Sequence, residues 1–205
     1  MKLSLHLFCI ATVLAVTASC SPKEASIEQR FPLIWANGFN FEAHRGFSDE
    51  FPENTEASFR AAVEVGKTAY QGMESDVRAT SDGELVMFHD DNVDRTTNGE
   101  GKVESFSFDG IRSLDAGDGE KVPTFDCYLY YCRLAGFIPY IELKVYDKDA
   151  IRKVFETLRA NDWKDGEYVI TSFNLDALEM ARDLCDTPLE YMSSNMSLEK
   201  VDSAK

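Results

Sequence analysis

Apolar residues along this chain follow two alternating spacings, one typical of strands and one typical of helices. Runs with strand spacing cover residues 40–44, 73–80, 85–89, 138–144, 168–172 and 189–192. Between them, apolar residues recur at helical spacing in stretches that begin near residues 54, 123, 151 and 175. This alternation predicts parallel β/α units built on five main strands, near residues 42, 74, 141, 170 and 190.

Two of the predicted helices begin with recognisable signals. Asn54 or Thr55 is suited to cap the first helix. Each of these residues has a short polar side chain that can accept a hydrogen bond from a backbone N–H at the start of the helix. Pro123 is suited to the first position of the second helix, which we expect to end near Ala135.

The second and third strand-like runs are joined by a turn sequence. We interpret residues 82–83 (Asp-Gly) as a two-residue hairpin turn. That register pairs Asp76 with His89 and Glu74 with Asp91. Because strand side chains alternate between faces, Glu74 and Asp76 share one face. The sequence therefore predicts two carboxylates and an imidazole at one place. The polar, glycine-containing stretch that follows, residues 90–121, is interpreted as an inserted excursion.

Three carboxylates interrupt apolar strand segments. Glu74, Asp76 and Glu142 lie in runs typical of buried strands, where a carboxylate is costly unless it binds something. Three carboxylates without cysteine form an oxygen-rich set, which predicts Ca²⁺ or Mg²⁺ rather than Zn²⁺. The alternative interpretation is a set of solvated charges at the edge of the sheet.

Composition places this chemistry in one globular domain, which we assign to residues 36–205. The 205 residues are 44% hydrophobic and carry 21 Lys and Arg against 36 Asp and Glu, a net charge of −15. These values exclude collagen-like, disordered and disulfide-dependent classes. The negative charge argues against nucleic acid as a partner. An acidic protein that handles a phosphate must concentrate its positive charge locally.

The first 35 residues are predicted to direct export and anchoring. Residues 1–19 contain a basic start and a 14-residue apolar run, shorter than the about 20 residues of a membrane span and typical of a signal peptide. Cys20 follows small residues, which favours lipid attachment there, with residues 20–35 as the lipidated tether. We expect a bacterial periplasmic or cell-envelope lipoprotein, held at the membrane by its lipid anchor. The alternative is cleavage after Ala18 with Cys20 left as a free thiol.

A series of short motifs in a fixed order resembles the glycerophosphodiester phosphodiesterase family from about residue 41 to residue 192. Each motif is weak alone, and their order makes the resemblance specific. The motifs are His44-Arg45-Gly46, Pro52-Glu53-Asn54-Thr55, Glu74-Ser75-Asp76, His89-Asp90, Arg95-Thr96-Thr97-Asn98-Gly99, Val122-Pro123-Thr124, Ile141-Glu142-Leu143-Lys144 and Ser172-Phe173.

The resemblance implies a fold and a reaction. The fold is an α/β, TIM-type (β/α)₈ barrel with its site at the carboxyl ends of the strands. The reaction is metal-dependent hydrolysis of a small-molecule glycerophosphodiester to glycerol 3-phosphate and an alcohol. The implied site residues have three roles: general acid and base (His44, His89), Ca²⁺ or Mg²⁺ ligands (Glu74, Asp76, Glu142) and phosphate contacts (Arg45, Lys144).

The length departs from this family pattern. Without residues 1–19 the chain has 186 residues, whereas a barrel takes about 250. We therefore expect the first five β/α units, which would not close into an independently stable barrel. The alternatives to the enzyme are an inactive truncated fragment or a lipid-anchored, non-catalytic binding protein. A phospholipase of the phosphoinositide C or sphingomyelinase D type, which also uses paired histidines, is the alternative within enzymes.

Overall fold

A mainly parallel sheet and the helices between its strands form the part of the chain that the computed structural model describes, residues 41–193. The strands are β1 (Glu42–His44), β2 (Gly72–Ala79), β3 (Leu85–Met87), β4 (Ile138–Leu143), β5 (Val169–Ser172) and β6 (Leu189–Tyr191). The helices are α1 (Glu56–Val65), α2 (Phe108–Arg112), α3 (Phe125–Ala135), α4 (Lys148–Ala160) and α5 (Leu175–Arg182), with a 3₁₀ helix at Val103–Ser105. The predicted signal peptide, Cys20 and the tether lie outside the described residues. No helix within residues 41–193 is long and apolar enough to cross a membrane.

The strand order confirms the predicted β/α class. Neighbouring strands run parallel in the order β1-β2-β4-β5-β6, and β3 pairs antiparallel with β2. Helices α1, α3, α4 and α5 each precede a parallel strand in the chain. This is the arrangement of successive units in a TIM-type barrel, and its five parallel strands are those that the hydrophobic pattern predicts.

Hydroxyl side chains determine where two of the helices begin. Thr55 caps α1 through a reciprocal pair of hydrogen bonds with Ser58, in which each side chain accepts the other residue's backbone N–H. Thr124 caps α3 by accepting the N–H of Cys127. The prediction that Pro123 occupies the first helical position is therefore wrong. Pro123 precedes the cap, because the Thr124 hydroxyl satisfies an otherwise unpaired N–H.

The hairpin between β2 and β3 differs by one residue from the predicted register. Ala79 pairs with Leu85 and Val77 with Met87, which leaves residues 81–83 as a three-residue loop. Gly83 has a φ of 79°, the left-handed conformation typical of the last position in such loops. The longer loop shifts the strand pairing along the whole hairpin.

The predicted pairing of Asp76 with His89, and of Glu74 with Asp91, is wrong for this reason. Phe88 stands opposite Asp76 and donates its backbone N–H to the Asp76 carbonyl at 2.9 Å. His89 is the second residue after β3 ends at Met87, so the direction of its side chain is not set by the alternation of side chains along the strand. It still lies beside Asp76.

Aromatic side chains fill the space between the sheet and its helices. Phe59 of α1 and Phe125 of α3 are fully buried. The hydroxyl of Tyr128 in α3 donates to the carbonyls of Met73 at 2.6 Å and Tyr140 at 3.1 Å. Because a buried hydroxyl needs a partner, these bonds join α3 to both β2 and β4.

The excursion at residues 90–121 has an apolar centre of its own. It contains the 3₁₀ helix and α2, and it packs against the outer side of the hairpin. The buried residues of this second cluster are Val86, Phe88, Val93, Val103, Ile111, Ala116 and Val122. The sequence does not predict this cluster, because its apolar residues are widely spaced among polar ones.

Candidate active site

Charged side chains from three strands meet at the carboxyl ends of the sheet. His44 is the last residue of β1 and pairs in register with Glu74 of β2. Asp76, two residues further along β2, pairs in register with Glu142 of β4. Because strand side chains alternate, Glu74 and Asp76 face the same side. The carboxyl ends of parallel strands are where barrel enzymes hold their reacting groups.

Asp76, His89 and Glu142 form a group that can hold a metal ion. Each offers one ligand atom, and these atoms lie within 4.8 Å of one another. Asp76 is fully buried, and its Oδ1 has no hydrogen-bond partner among the described residues. Lys144 Nζ lies 3.6 Å from this oxygen and 2.5 Å from Glu142 Oε1. An orphaned carboxylate oxygen in an oxygen-rich set fits a hard divalent cation.

Glu74 lies beside this group and adds to its negative charge. Its Oε2 accepts the backbone N–H of Arg45 at 3.0 Å. Burial, and then the charge of Asp76, raise the pKa of Glu74 well above its usual range. Burial and Asp76 likewise raise the pKa of Glu142 to about 7, against the opposing effect of Lys144. A cation among these carboxylates would favour their ionised forms.

Arg45 is held between two carboxylates by an unusual turn. Its Nη1 donates to Glu53 Oε1 at 2.9 Å, and its Nε lies 3.6 Å from Asp76 Oδ2. The backbone has positive φ angles of 55° at Arg45 and 77° at Gly46. A Cβ at Gly46 would overlap Ser58 of α1. The turn therefore requires glycine, and it places the guanidinium at the site.

His89 is fixed through both its ring and its backbone. Its Nδ1 lies 2.6 Å from Asp90 Oδ1, and its carbonyl accepts from Arg78 Nε at 3.0 Å and Nη2 at 2.7 Å. A hydrogen bond from Arg95 is the main cause that lowers the pKa of Asp90 well below its usual range. Asp90 is therefore a carboxylate, which only accepts. An acceptor at this position favours the tautomer of His89 with its hydrogen on Nδ1, which leaves Nε2 for the site.

His44 occupies a different environment. Desolvation lowers the pKa of His44 below its ordinary value, and the charge of Arg45 lowers it further, while Asp76 partly opposes both. Its Nε2 lies 3.8 Å from Glu74 Oε2. A depressed pKa keeps the imidazole neutral near pH 7, so the ring is able to accept a proton.

Asn54 is a site residue that the sequence reasoning missed. It was considered only as a helix cap, and Thr55 holds that position. Asn54 instead has a φ of 52°, and its Nδ2 donates to Asp76 Oδ2 at 2.9 Å while its Oδ1 accepts from Ser75 Oγ at 2.6 Å. The signal that could have found it is an asparagine directly before a better cap, since asparagine tolerates positive φ.

A comparison with protein families identifies the chain. The model of the glycerophosphoryl diester phosphodiesterase family matches residues 44–198. The chain belongs to this family. The match includes every strand from the end of β1 to β6, and with it all seven site residues expected from the motifs.

Curated relatives carry the corresponding enzyme name. A glycerophosphodiester phosphodiesterase of Caldanaerobacter subterraneus is 39% identical over 142 residues, which are 64% of this chain and 57% of that protein. Human glycerophosphodiester phosphodiesterase 1 is 43% identical over 91 residues, 40% of this chain and 27% of the human protein. The chain thus spans little more than half the length of the first of these relatives, and less of the second.

Solved structures of the family share the fold. An Oleispira antarctica phosphodiesterase in complex with the product sn-glycerol-3-phosphate is 30% identical, with a TM-score of 0.72 over 82% of this chain and 74% of that one. A glycerophosphodiester phosphodiesterase of Agrobacterium tumefaciens is 33% identical, with a TM-score of 0.62 over 69% of this chain and 61% of that one.

In this phosphodiesterase-family chain the seven expected site residues lie at one end of the sheet. Two of them, Arg45 and Lys144, bring positive charge to this acidic cluster, and each lies 3.6 Å from an oxygen of Asp76. Glu74 lies outside the closest three-residue ligand group, and His89 lies within it. The catalytic, metal-binding and phosphate-binding roles of these residues stay predictions.

Proposed function

We propose that this protein hydrolyses glycerophosphodiesters to glycerol 3-phosphate and an alcohol. The observation that carries the proposal is the meeting of two histidines with a buried carboxylate group and two cations at the strand ends. Family membership and the names of the relatives support the same reaction. The Oleispira relative, in complex with sn-glycerol-3-phosphate, supports a small-molecule substrate.

Arg45 and Lys144 would bind the phosphate. The Nε of Arg45 is buried and has no hydrogen-bond partner among the described residues, so it has a donor to offer. Lys144, the residue just after β4, shares Asp76 with Arg45 and also contacts Glu142. A phosphodiester carries one negative charge, and two cations would neutralise the further charge that develops in the transition state.

The two histidines would divide the proton transfers. The neutral His44 is suited to take a proton from the attacking hydroxyl, whose oxygen forms a bond to phosphorus. His89, in the form that carries a proton on both ring nitrogens, is suited to give its Nε2 proton to the leaving alcohol oxygen as the bond from that oxygen to phosphorus breaks. Asp90 accepts from Nδ1 of His89, so this transfer would occur at Nε2. One proton is accepted and one is donated, so the total charge of the pair does not change, and exchange with water returns each ring to its starting form.

We also propose that Glu74, Asp76 and Glu142 hold the Ca²⁺ or Mg²⁺ ion. The orphaned Asp76 oxygen and the mutual repulsion of these buried carboxylates support a cation there. When bound, the ion would supply Lewis-acid stabilisation of charge on the phosphate oxygens. His89 shares this space with the ligands, which would bring the proton donor close to the scissile bond.

The reaction is tested with full-length protein and glycerophosphocholine. Release of glycerol 3-phosphate would be followed by a coupled dehydrogenase assay in the presence of Ca²⁺ or Mg²⁺. We expect turnover that disappears in the protein with both His44→Ala and His89→Ala, which controls for contaminating hydrolases. A folded, metal-supplied protein that releases no glycerol 3-phosphate from any glycerophosphodiester would refute the proposal.

Export and lipid anchoring are a separate proposal. The apolar run and Cys20 lie outside the described residues, and their sequence alone supports processing to a bacterial lipoprotein. Mass spectrometry of the membrane fraction should find an acylated Cys20 at the new N-terminus. A Cys20→Ser variant should leave the membrane fraction, and retention of that variant there would contradict the anchor.

A further inference from the structure

Four charged side chains and one histidine form a continuous hydrogen-bonded series along one side of the site. The series begins at Arg45 and ends at the catalytic ring of His89. Its members in order are Arg45, Glu53, Arg95, Asp90 and His89. Two of the three middle members belong to the excursion, and Glu53 belongs to the loop between β1 and α1.

Arg95 is the central member and binds both of its neighbours with a pair of bonds. Its Nε lies 2.6 Å from Asp90 Oδ2 and its Nη2 lies 3.0 Å from Asp90 Oδ1. Its Nη1 lies 2.8 Å from Glu53 Oε2 and its Nη2 lies 2.6 Å from Glu53 Oε1. The planar guanidinium is the side chain suited to hold two carboxylates at fixed angles.

We propose that Arg95 is a positioning residue that aligns His89 and Arg45 together, acting through Asp90 on one side and Glu53 on the other. The inference rests on the proposed function and adds roles for two motifs that the assigned catalytic residues leave unexplained. These are the Glu53 position of the Pro52–Thr55 motif and the Arg95 position of the Arg95–Gly99 motif.

The geometry supports alignment rather than surface stabilisation alone. An isolated exposed ion pair contributes little to stability, about 0–1 kcal/mol. Arg95 instead shares carboxylates with groups at the reacting centre. Asp90 turned by even a small angle would lose its 2.6 Å contact with His89 Nδ1, and the ring would then be free to present either nitrogen. Glu53 similarly fixes the Arg45 guanidinium from the side away from Asp76.

The first test measures the histidine tautomer and does not depend on activity. The chain has three histidines, so long-range ¹H–¹⁵N spectra of the full-length protein resolve His89. We expect wild-type His89 to carry its hydrogen on Nδ1, and the Arg95→Met variant to show a mixture of tautomers. The control Arg152→Met removes an exposed arginine that pairs with Asp149 on α4 and should leave the spectrum unchanged. An unchanged Nδ1 tautomer in Arg95→Met would overturn the inference.

The second test is a double-mutant cycle on the hydrolysis of glycerophosphocholine. Arg95→Met and Asp90→Asn should each lower kcat by about 10–100-fold, the usual effect of removing a group that orients an active-site histidine. The double variant should be little worse than either single variant, because both changes break the same connection. The inference would be overturned if the kcat losses of the two single variants multiplied in the double variant. It would also be overturned if a lower melting temperature explained the loss of kcat.

A conservative variant separates charge from shape. Arg95→Lys keeps the positive charge but loses the planar set of N–H donors. Its kcat should therefore lie between those of Arg95→Met and the wild type. Full recovery would show that charge alone matters and would contradict positioning. If wild-type protein shows the Nδ1 tautomer and its loss in Arg95→Met but no hydrolysis, the proposed function fails while the role of Arg95 stands.

Discussion

Asn54 donates a side-chain N–H to Oδ2 of Asp76 across 2.9 Å. The bond joins the loop before α1 to the most deeply buried carboxylate of the site. It occupies one acceptor site on that oxygen and so leaves Oδ1 as the oxygen with no hydrogen-bond partner among the described residues. Asn54 therefore selects which face of the carboxylate is available to a cation.

Replacing Asn54 should weaken metal binding without unfolding the protein. Asn54→Gly removes the amide and tolerates the positive φ of 52° at this position. We expect the apparent affinity for Ca²⁺ or Mg²⁺ to fall by about 10–100-fold, measured by calorimetric titration. Asn54→Ala should show the same loss together with a lower melting temperature, because alanine is strained at that φ. Wild-type affinity in Asn54→Gly would contradict the role.

The two histidines should act as one unit. His44→Ala and His89→Ala should each reduce kcat by about 10²–10⁴-fold, the usual contribution of a general acid or base. The double variant should be little slower than the slower single variant, because either loss already breaks the proton transfer. A single variant with wild-type kcat would show that its histidine is structural.

Chelation should abolish hydrolysis reversibly. The clustered carboxylates predict that excess EDTA stops glycerol 3-phosphate release and that Ca²⁺ or Mg²⁺ restores it. Glu142→Gln removes a ligand charge and should raise the metal concentration needed for half-maximal rate. Glu179→Gln, on the exposed side of α5, is the matched control and should behave as wild type. Full activity in excess EDTA would show that hydrolysis does not depend on a bound metal ion.

Lys144 should oppose the metal and assist the substrate. Its Nζ lies among the oxygens that would bind the ion, 2.5 Å from Glu142 and 3.6 Å from Asp76. Lys144→Met removes a neighbouring positive charge, so Ca²⁺ affinity should rise by about tenfold. The KM for glycerophosphocholine should rise at the same time because a phosphate contact is lost. A fall in metal affinity would show that Lys144 organises the ligands instead.

Glu190 should make the folded protein less stable as the pH rises. Burial raises the pKa of Glu190 in β6 to about 7, whereas in an unfolded chain a glutamate has a pKa of about 4.3. Between these values the folded state binds the extra proton, so stability is lost from about pH 4 and levels off above about pH 7. The loss is at most about 4 kcal/mol for this one group.

Urea unfolding at a series of pH values measures this dependence. Glu190→Gln should reduce the slope of the curve between about pH 5 and pH 8, since glutamine has no proton to lose, while Glu74 and Glu142, whose pKa values are also raised, keep part of it. Glu156→Gln, an exposed position on α4, is the control and should leave the slope unchanged. An identical slope in wild type and Glu190→Gln would contradict the assignment.

Spacing along the chain was enough to predict the sheet, because each parallel strand is a short apolar run between helical stretches. It was also enough to place Glu74 and Asp76 on one face, since alternation in a strand is local. The register of the hairpin could not be predicted from spacing alone. Whether the hairpin closes with a two-residue loop or with the three-residue loop 81–83 depends on the backbone angle at Gly83. That angle is decided by pairing along both strands and by the contacts of the excursion.

The supporting contacts of the site could not be predicted in the same way. Arg95 binds Glu53 across 42 positions in the chain, and nothing in the spacing of either residue indicates the other. From sequence alone, Asn54 is as suitable a helix cap as Thr55. In the structure the hydroxyl of Thr55 caps the helix instead. Such contacts depend on how the excursion and the first loop come together, which is a property of the tertiary fold.

The strand β3 separates two apolar interiors that can vary independently. Leu85 and Met87 enter the main core, whereas Val86, and Phe88 just after the strand, enter the smaller cluster of the excursion. Substitutions of apolar residues in the excursion should therefore repack the smaller interior and leave the core between the main sheet and its helices undisturbed. The same segment carries Asp90 and Arg95, so its interior can change only while the contacts between these two side chains are kept. A change of sequence within the excursion can therefore shift Asp90 and Arg95 without rebuilding the sheet that holds Glu74, Asp76 and Glu142.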